Sequence, residues 1–106
     1  MDKLTVTTEM MSTRNRLLVK VCDMVGVCGD DVMSSSRTAD VSLARHIMMW
    51  ALCMLWNYRP TQIGILMRRS HATASYAIRR ANTGWLGKRC EPFKARITEL
   101  YESGLL

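Results

Sequence analysis

The chain has few of the residues that bend or cross-link a backbone. Its 106 residues include two prolines and six glycines, and its four cysteines form no Cys-x-x-Cys pair. Few prolines and glycines favour long helices with short connections, and the cysteine and histidine spacing matches no zinc-ligand pattern. No stretch alternates apolar and polar residues as a strand would. The sequence therefore predicts an all-α fold without a metal or any other cofactor.

Segments that would direct the chain to a membrane are also absent from the sequence. Residues 1–8 mix charged and polar side chains without an apolar stretch, so they do not resemble a signal peptide. The most apolar run, Ile47–Trp56, has ten residues, whereas a helix that spans a bilayer needs about 20. We expect a chain that works in a reducing cytoplasm and has no membrane partner.

Acidic residues are scarce in the second half of the chain. The net charge is +6, and the whole excess lies in residues 59–106, because the charges of residues 1–58 balance. Between Arg59 and Arg96 the one acidic residue is Glu91. Such a positive field attracts phosphate polyanions by Coulomb steering and counterion release. An acidic protein or an anionic membrane surface would be attracted as well, so charge alone leaves these partners open.

Residues that could form an active site are few. The single Gly-Lys pair, Gly87-Lys88, is followed by arginine, so no phosphate loop of the form GxxxxGK[ST] is present. His71 stands beside Ser70, but neighbours in sequence on a helix seldom face one another and no orienting carboxylate is close. We therefore expect neither an enzyme nor a nucleotide-binding protein.

Hydrophobic periodicity predicts about six helices in a single domain of residues 1–106. The ranges are Thr8–Val25, a short helix after Asp30, Val41–Asn57, Pro60–Arg68, Ser70–Asn82 and about 91–103. Gly26 is expected to end the first helix in a left-handed conformation. Asp30 and Asp40 are expected to cap the second and third helices. Pro92 is expected in the first turn of the last helix, where its missing donor is not needed.

The third predicted helix is apolar on nearly every face from Ile47 to Trp56. A helix that is hydrophobic all round must be surrounded by other helices, so this one is expected at the centre of the fold. Arg45 and His46 interrupt the apolar pattern in its first turns and are expected to reach solvent.

The fourth and fifth predicted helices form a helix-turn-helix pattern. A short helix, a tight turn and a second helix with small inward residues such as Ala74 and Ala77 are typical of this motif. On the outer face, arginine can bind guanine and the Thr73 methyl group can meet a thymine methyl in the major groove. The same pattern also fits an ordinary helical hairpin with a solvated basic face.

Several short motifs follow one another in a fixed order within residues 17–80. They are Val25-Gly26-Val27, Asp31-Val32-Met33, Ser36-Arg37, Val41, Ala44-Arg45-His46-Ile47, Ile63-Gly64 and Arg69-Ser70-His71-Ala72-Thr73. In order and spacing this series resembles the C-terminal DNA-binding domain, domain IV, of the bacterial chromosomal replication initiator DnaA, within the Trp-repressor-like helix-turn-helix group. The resemblance implies a free-standing bacterial or bacteriophage relative that binds double-stranded DNA in replication or transcription control.

The resemblance also implies roles for individual residues. Arg37 would enter the minor groove, and Arg45 would contact backbone or base at the start of the long helix. Arg69, His71 and Thr73 would form the major-groove motif. The full set of predicted DNA-binding residues is Arg37, Arg45, His46, Arg69, Ser70, His71, Thr73, Tyr76 and Arg80.

Five positions depart from the family pattern that the resemblance suggests. Ser70 stands where the family has aspartate, Ala72 where it has threonine, and His46 where it has glutamine. Leu43 and Cys53 fill positions that are often basic in the family. The changes at Ser70 and Ala72 favour an alternative in which a decayed DNA-binding scaffold serves as a protein-interaction module, and a homodimer is also left open. DNA binding is favoured by the joint presence of the residues that match the family, which are Arg37, Arg45, Arg69, His71 and Thr73.

Overall fold

The computed structural model describes residues 5–106, which fold into α-helices. These are α1 (Thr8–Val25), α2 (Gly29–Met33), α3 (Ala39–Met54), α4 (Pro60–Met67), α5 (His71–Arg80) and α6 (Gly84–Glu102). No strand occurs in this described part of the chain, and the predicted all-α fold is confirmed. The expectation that residues 1–8 carry no signal peptide involves residues 1–4, which lie outside the described range.

Helix α3 forms the centre of the fold. Its residues Ile47–Leu52 are all buried, and α1, α2, α4, α5 and α6 each pack against it. The other helices supply the apolar side chains that cover it, among them Leu17, Val21, Ile63, Leu66, Ala74 and Ile97. Burial on every side follows from the apolar composition of every face, so the predicted position of this helix is confirmed.

The first helix begins and ends as its sequence predicts. The Thr7 hydroxyl accepts a hydrogen bond from the Met10 amide at 3.1 Å, which satisfies a donor that the first turn leaves unpaired. At the other end Gly26 has a φ of 84°, a conformation that glycine adopts without a steric penalty. Its amide donates to the Cys22 carbonyl at 2.8 Å, and the helix ends there.

The predicted caps of the second and third helices are each wrong by two residues. The residue before α2 is Cys28, and the residue before α3 is Thr38. Asp30 and Asp40 lie inside the first turns of these helices. Their carboxylates therefore interact favourably with the positive end of the helix dipole without serving as caps.

The last helix begins well before the predicted residue 91. Helix α6 starts at Gly84, and Pro92 lies in its interior. Gly84 has a φ of 63°, which allows a short connection between α5 and α6. At Gly87, α6 lies close to the backbone of this connection. A Cβ atom on Gly87 would lie 3.0 Å from the backbone of Asn82. Pro92 removes one internal hydrogen bond, but the buried side chains of Cys90 and Ile97 hold the helix on the core.

Among the described residues, no helix is both long enough and apolar enough to cross a membrane. The described histidine, cysteine and acidic side chains also form no group of three that could hold a metal ion.

Candidate nucleic-acid interface

Helices α4 and α5 are joined by a very tight turn at Arg68–Ser70. Arg68 adopts a left-handed conformation with a φ of 58°, and the Arg69 amide donates to the Gly64 carbonyl at 2.7 Å. A Cβ atom on Gly64 would lie only 2.6 Å from the Arg69 carbonyl oxygen. The glycine of the Ile-Gly motif therefore allows the turn to pass directly over α4, which fixes where α5 begins.

Helix α5 has an outer face that other elements leave uncovered. Ala74, Ala77 and Ala81 are buried, so the helix lies close to α3 and α4 as the small residues predict. His71, Thr73, Tyr76 and Arg80 are exposed. Thr73, Tyr76 and Arg80 thus present hydroxyl, phenol and guanidinium groups in one row, while His71 lies outside this row in the first turn and the buried side of the helix consists of small residues.

Ser70 is the residue that caps α5. Its hydroxyl accepts from the Thr73 amide at 3.1 Å, and the two hydroxyl oxygens of Ser70 and Thr73 lie 2.9 Å apart. A capping serine satisfies one of the unpaired amides of the first helical turn. Ser70 thus caps the helix with an uncharged hydroxyl group.

Beside α5 lies a cleft of about 440 Å³, which we call the central cleft. It brings together side chains from the α2–α3 loop, from α3, from the α4–α5 turn and from α5. The lining residues are Ser35, Arg37, Arg45, His46, Met49, Arg69, Thr73, Tyr76 and Ala77. All predicted DNA-binding residues line this cleft except Ser70, His71 and Arg80, and none of its lining residues is acidic.

Arg45 contradicts the expectation that it reaches solvent, because it is 9% exposed. Its Nε donates to the Val32 carbonyl at 3.0 Å, and its Nη2 donates to the carbonyls of Ser34 at 3.1 Å and Ser36 at 3.0 Å. A further bond reaches the Asp31 carbonyl at 3.3 Å. The last carbonyls of a helix such as α2 have no internal partner. Arg45 supplies one and so fixes the loop that carries Arg37.

Arg69 is directed at the same loop from the opposite side. Its Nη2 donates to the Ser34 carbonyl, the oxygen that also accepts from Arg45. Among the described residues neither guanidinium has a carboxylate in ion-pair contact. Burial, followed by repulsion from Arg69, lowers the pKa of Arg45. Two positive side chains therefore converge on one neutral acceptor at the wall of the cleft.

His46 is half-buried and lines the cleft, so unlike Arg45 it reaches solvent in part. Its Nδ1 lies 2.6 Å from the Ser42 carbonyl. Burial lowers the pKa of His46, and the positive charges of Arg80 and Arg45 lower it further, against the opposing effect of the Ser42 hydrogen bond. The ring is accordingly neutral near pH 7, with Nδ1 as donor and Nε2 as an acceptor.

The comparison with known protein families decides how this arrangement is classified. Residues 15–81 match the family described as the bacterial DnaA protein helix-turn-helix. The chain belongs to this DnaA family. The match includes α3, α4, the tight turn at Gly64 and the whole of α5.

A curated relative supports the same classification of the DnaA-type region. The chromosomal replication initiator protein DnaA of Pseudothermotoga lettingae is 29% identical over 65 residues. The alignment covers 61% of this chain but only 15% of that relative. The chain thus corresponds to a small part of the relative's length. No solved structure gives a significant match.

Two residues beside the DnaA-type site are not among the predicted ones, because the sequence pattern predicts a connection where the first turns of α6 lie. Trp85 is 72% exposed, and the Arg89 guanidinium carbon lies 5.2 Å from the centroid of its ring. An aromatic residue four positions before an arginine is a recognisable pair on a helix. Had α6 been predicted to begin at Gly84, this spacing would have identified the pair.

Lys94 is a third residue that was not predicted, and it contacts the carboxyl end of α5. It is 8% exposed, and its Nζ donates to the Ala81 carbonyl at 3.0 Å and to the Asn82 side chain at 2.9 Å. Nζ also lies 4.9 Å from the centroid of the Trp50 ring. A positive side chain at the carboxyl end of a helix is favourable, so Lys94 secures the end of the DnaA-type helix-turn-helix.

Proposed function

We propose that this DnaA-type helix-turn-helix binds double-stranded DNA, with α5 in the major groove and Arg37 in the adjacent minor groove. The observation that carries the proposal is the central cleft, where Arg37, Arg69, Thr73 and Tyr76 share one face without an acidic lining residue. Such a face complements the phosphate backbone, and its hydroxyl and guanidinium groups are those that bind base edges.

Arg45 acts in this proposal mainly through the position of Arg37. Its hydrogen bonds hold the carbonyls of the α2–α3 loop, and Arg37 stands exposed in that loop. Arg69 binds the loop from the turn and retains donors for a phosphate or a base. His46 offers Nε2 from the cleft floor, whereas Ser70, His71 and Arg80 extend the contact along α5.

A second candidate function is a protein-interaction module on a decayed DNA-binding scaffold. It is favoured by the mutual hydrogen bond of Ser70 and Thr73, which occupies hydroxyl groups where base reading would be strongest. Ala72 offers no polar group at all. In this alternative the basic surface would bind an acidic protein partner, or a second copy of the chain through its apolar residues.

The proposed role is non-catalytic. It lies in replication or transcription control in the bacterial cytoplasm, with either a bacterium or a bacteriophage as the source of the protein. The DnaA family match supports a DNA-directed role. The cysteines Cys22, Cys28, Cys53 and Cys90 are free thiols, which is compatible with a reducing compartment.

The test is binding to a random duplex of about 20 base pairs at several salt concentrations. For a DNA-binding protein, log affinity falls linearly with log salt, with a slope of about −0.9 for each neutralised phosphate. Arg37→Ala should weaken binding and flatten this slope. Lys20→Ala on α1 removes the same charge away from the central cleft and should leave binding unchanged. Absence of duplex binding at about 50 mM salt would overturn the proposal.

A further inference from the structure

A second cleft lies next to the central cleft, and we call it the lateral cleft. It encloses about 320 Å³ and is lined by Arg37, Ala39, Ser42, His46, Tyr76, Arg80, Trp85, Leu86 and Arg89. Three guanidinium groups and two exposed aromatic rings thus surround one depression. Trp85 and Arg89 come from α6 and lie beyond the residues that match the DnaA family.

Trp85 is unusual among the tryptophans of this chain. Trp50 is buried at 9% exposure, and Trp56 packs edge to face on Tyr101 with ring centroids 5.0 Å apart. Trp85 instead exposes 72% of its surface, so core packing does not account for a large apolar ring at this position. Its one strong neighbour is the Arg89 guanidinium.

Arg89 is held only weakly by its acidic neighbour. The Arg89 Nη2 and the Asp40 Oδ1 are 3.6 Å apart, and their side chains are 32% and 67% exposed. An ion pair with that exposure contributes little free energy, because solvent screens it. Arg80 makes its contact with the Tyr76 phenol at 3.2 Å, which leaves its positive charge uncompensated. Both arginines can therefore turn to a stronger anion.

The lateral cleft is continuous with the central cleft. Arg37, His46 and Tyr76 line both of them, so a polymer that lies along the central cleft passes the lateral cleft as well. The molecule is 38 Å along its longest axis, which corresponds to roughly 11 base pairs at about 3.4 Å each. Both clefts can thus contact one short duplex.

We propose that the lateral cleft is a second contact with the same DNA duplex, directed at the sugar-phosphate backbone beyond the recognition helix. Arg80 and Arg89 bind phosphates there, and the Trp85 ring packs on the deoxyribose between them. This inference rests on the proposed DNA binding and deepens it. It assigns α6 a direct part in binding, and it predicts affinity rather than sequence choice, because backbone contacts carry no base information.

The first test is quenching of tryptophan fluorescence by acrylamide, with and without a random duplex of about 20 base pairs. Trp85 is the exposed tryptophan and dominates the quenchable signal, whereas Trp50 is buried. Duplex binding should reduce quenching severalfold in the unaltered chain. Trp85→Phe removes the largest part of the quenchable signal and leaves the half-buried Trp56, so most of the protection should vanish in that variant and is thereby assigned to the Trp85 ring.

The second test compares two arginines of α6 that are each paired with one exposed carboxylate. Arg89 pairs with Asp40 at the lateral cleft, and Arg96 pairs with Glu99 outside both clefts. Arg89→Ala should weaken duplex binding roughly threefold to tenfold and reduce the salt slope by about one charge. Arg96→Ala should leave both unchanged. Asp40→Asn should strengthen binding, because it removes the negative charge beside Arg89.

The outcomes separate this inference from the function on which it rests. If the unaltered chain binds no duplex, both proposals are overturned. If it binds duplex but Trp85 stays fully quenchable, or Arg89→Ala and Arg96→Ala behave alike, DNA binding stands and the lateral contact is wrong. Protection of Trp85 by single-stranded DNA alone would also overturn the inference, because the ring would then stack on an unpaired base.

Discussion

Arg45 and Arg69 donate hydrogen bonds to the same oxygen, the carbonyl of Ser34. One arginine belongs to the central helix α3 and the other to the turn before α5, so their shared acceptor joins the α2–α3 loop to the helix-turn-helix. Both side chains carry positive charge without a carboxylate partner among the described residues. The arrangement keeps Arg37 in place and maintains a positive wall of the central cleft.

Replacement of the buried Arg45 should lower the stability of the fold more than replacement of a surface arginine does. Arg45→Met keeps a long side chain but removes the donors to the Val32 and Ser34 carbonyls. We therefore expect a loss of about 2–4 kcal/mol in the free energy of unfolding. Urea denaturation measures it. Arg16→Met on the exposed side of α1 is the control, with an expected change within about 0.5 kcal/mol. Equal losses would contradict a structural role of Arg45.

The close passage at Gly64 predicts that even one methyl group is not tolerated. In Gly64→Ala the Cβ atom would lie 2.6 Å from the Arg69 carbonyl oxygen, and the turn would have to move, at a cost of roughly 1–3 kcal/mol. Gly29→Ala is the matched control, since its Cβ atom meets the flexible Leu18 side chain at 3.3 Å. The midpoint of thermal unfolding is measured for both variants. A larger decrease in Gly29→Ala than in Gly64→Ala would contradict the claim that the turn passes too close to Gly64 for a Cβ atom.

The hydroxyl pair at the start of α5 allows a test of base reading. Thr73→Ala should weaken binding to a preferred site by roughly 1–3 kcal/mol and have little effect on random DNA, whereas Arg37→Ala should weaken both. Thr73→Val retains a methyl group and removes the hydroxyl. Comparison of the two Thr73 variants on a site selected from a random DNA pool therefore separates the two contacts. Equal losses on all DNA would show that α5 reads no sequence.

The half-buried His46 predicts a pH dependence of stability. Its pKa is lowered in the folded chain by burial and by nearby arginines, so below about pH 6.5 the unfolded chain takes up a proton that the folded chain resists. The free energy of unfolding should therefore fall as pH falls from 7 through this range. His46→Gln should flatten that part of the curve while preserving a donor for Ser42. His71→Gln, which removes the other histidine, is the control. A flattening of the curve by His71→Gln alone would refute the assignment.

The sequence was sufficient for those features that depend on periodicity or on a local backbone requirement. Apolar spacing located α1 and the central α3, Gly26 located the end of α1, and small residues located the buried side of α5. The Ile-Gly and Arg-x-His-x-Thr motifs identified the family that the match to residues 15–81 then showed.

Features that depend on distant partners were not predictable from the sequence. Arginine in a helix is ordinarily solvated, and the carbonyls that hold Arg45 inside become available only when α2 packs beside α3. Proline ordinarily begins a helix, but α6 continues through Pro92 because residues on both sides are buried against the core. The early start of α6 brought Trp85 and Arg89 to the site.

The position of Lys94 bears on how such a binding unit can be moved between proteins. This lysine belongs to α6, yet it donates to the carbonyl of Ala81, the residue that follows α5, and its Nζ lies over the Trp50 ring. Residues 15–81, which match the family, therefore lack a contact that the helix-turn-helix needs when it is transferred to another protein. A hybrid protein built from that segment would leave the far end of its recognition helix frayed, unless the host supplied a cation at the same place. A transferred segment that extends to Glu102 would include Lys94 and so retain this contact.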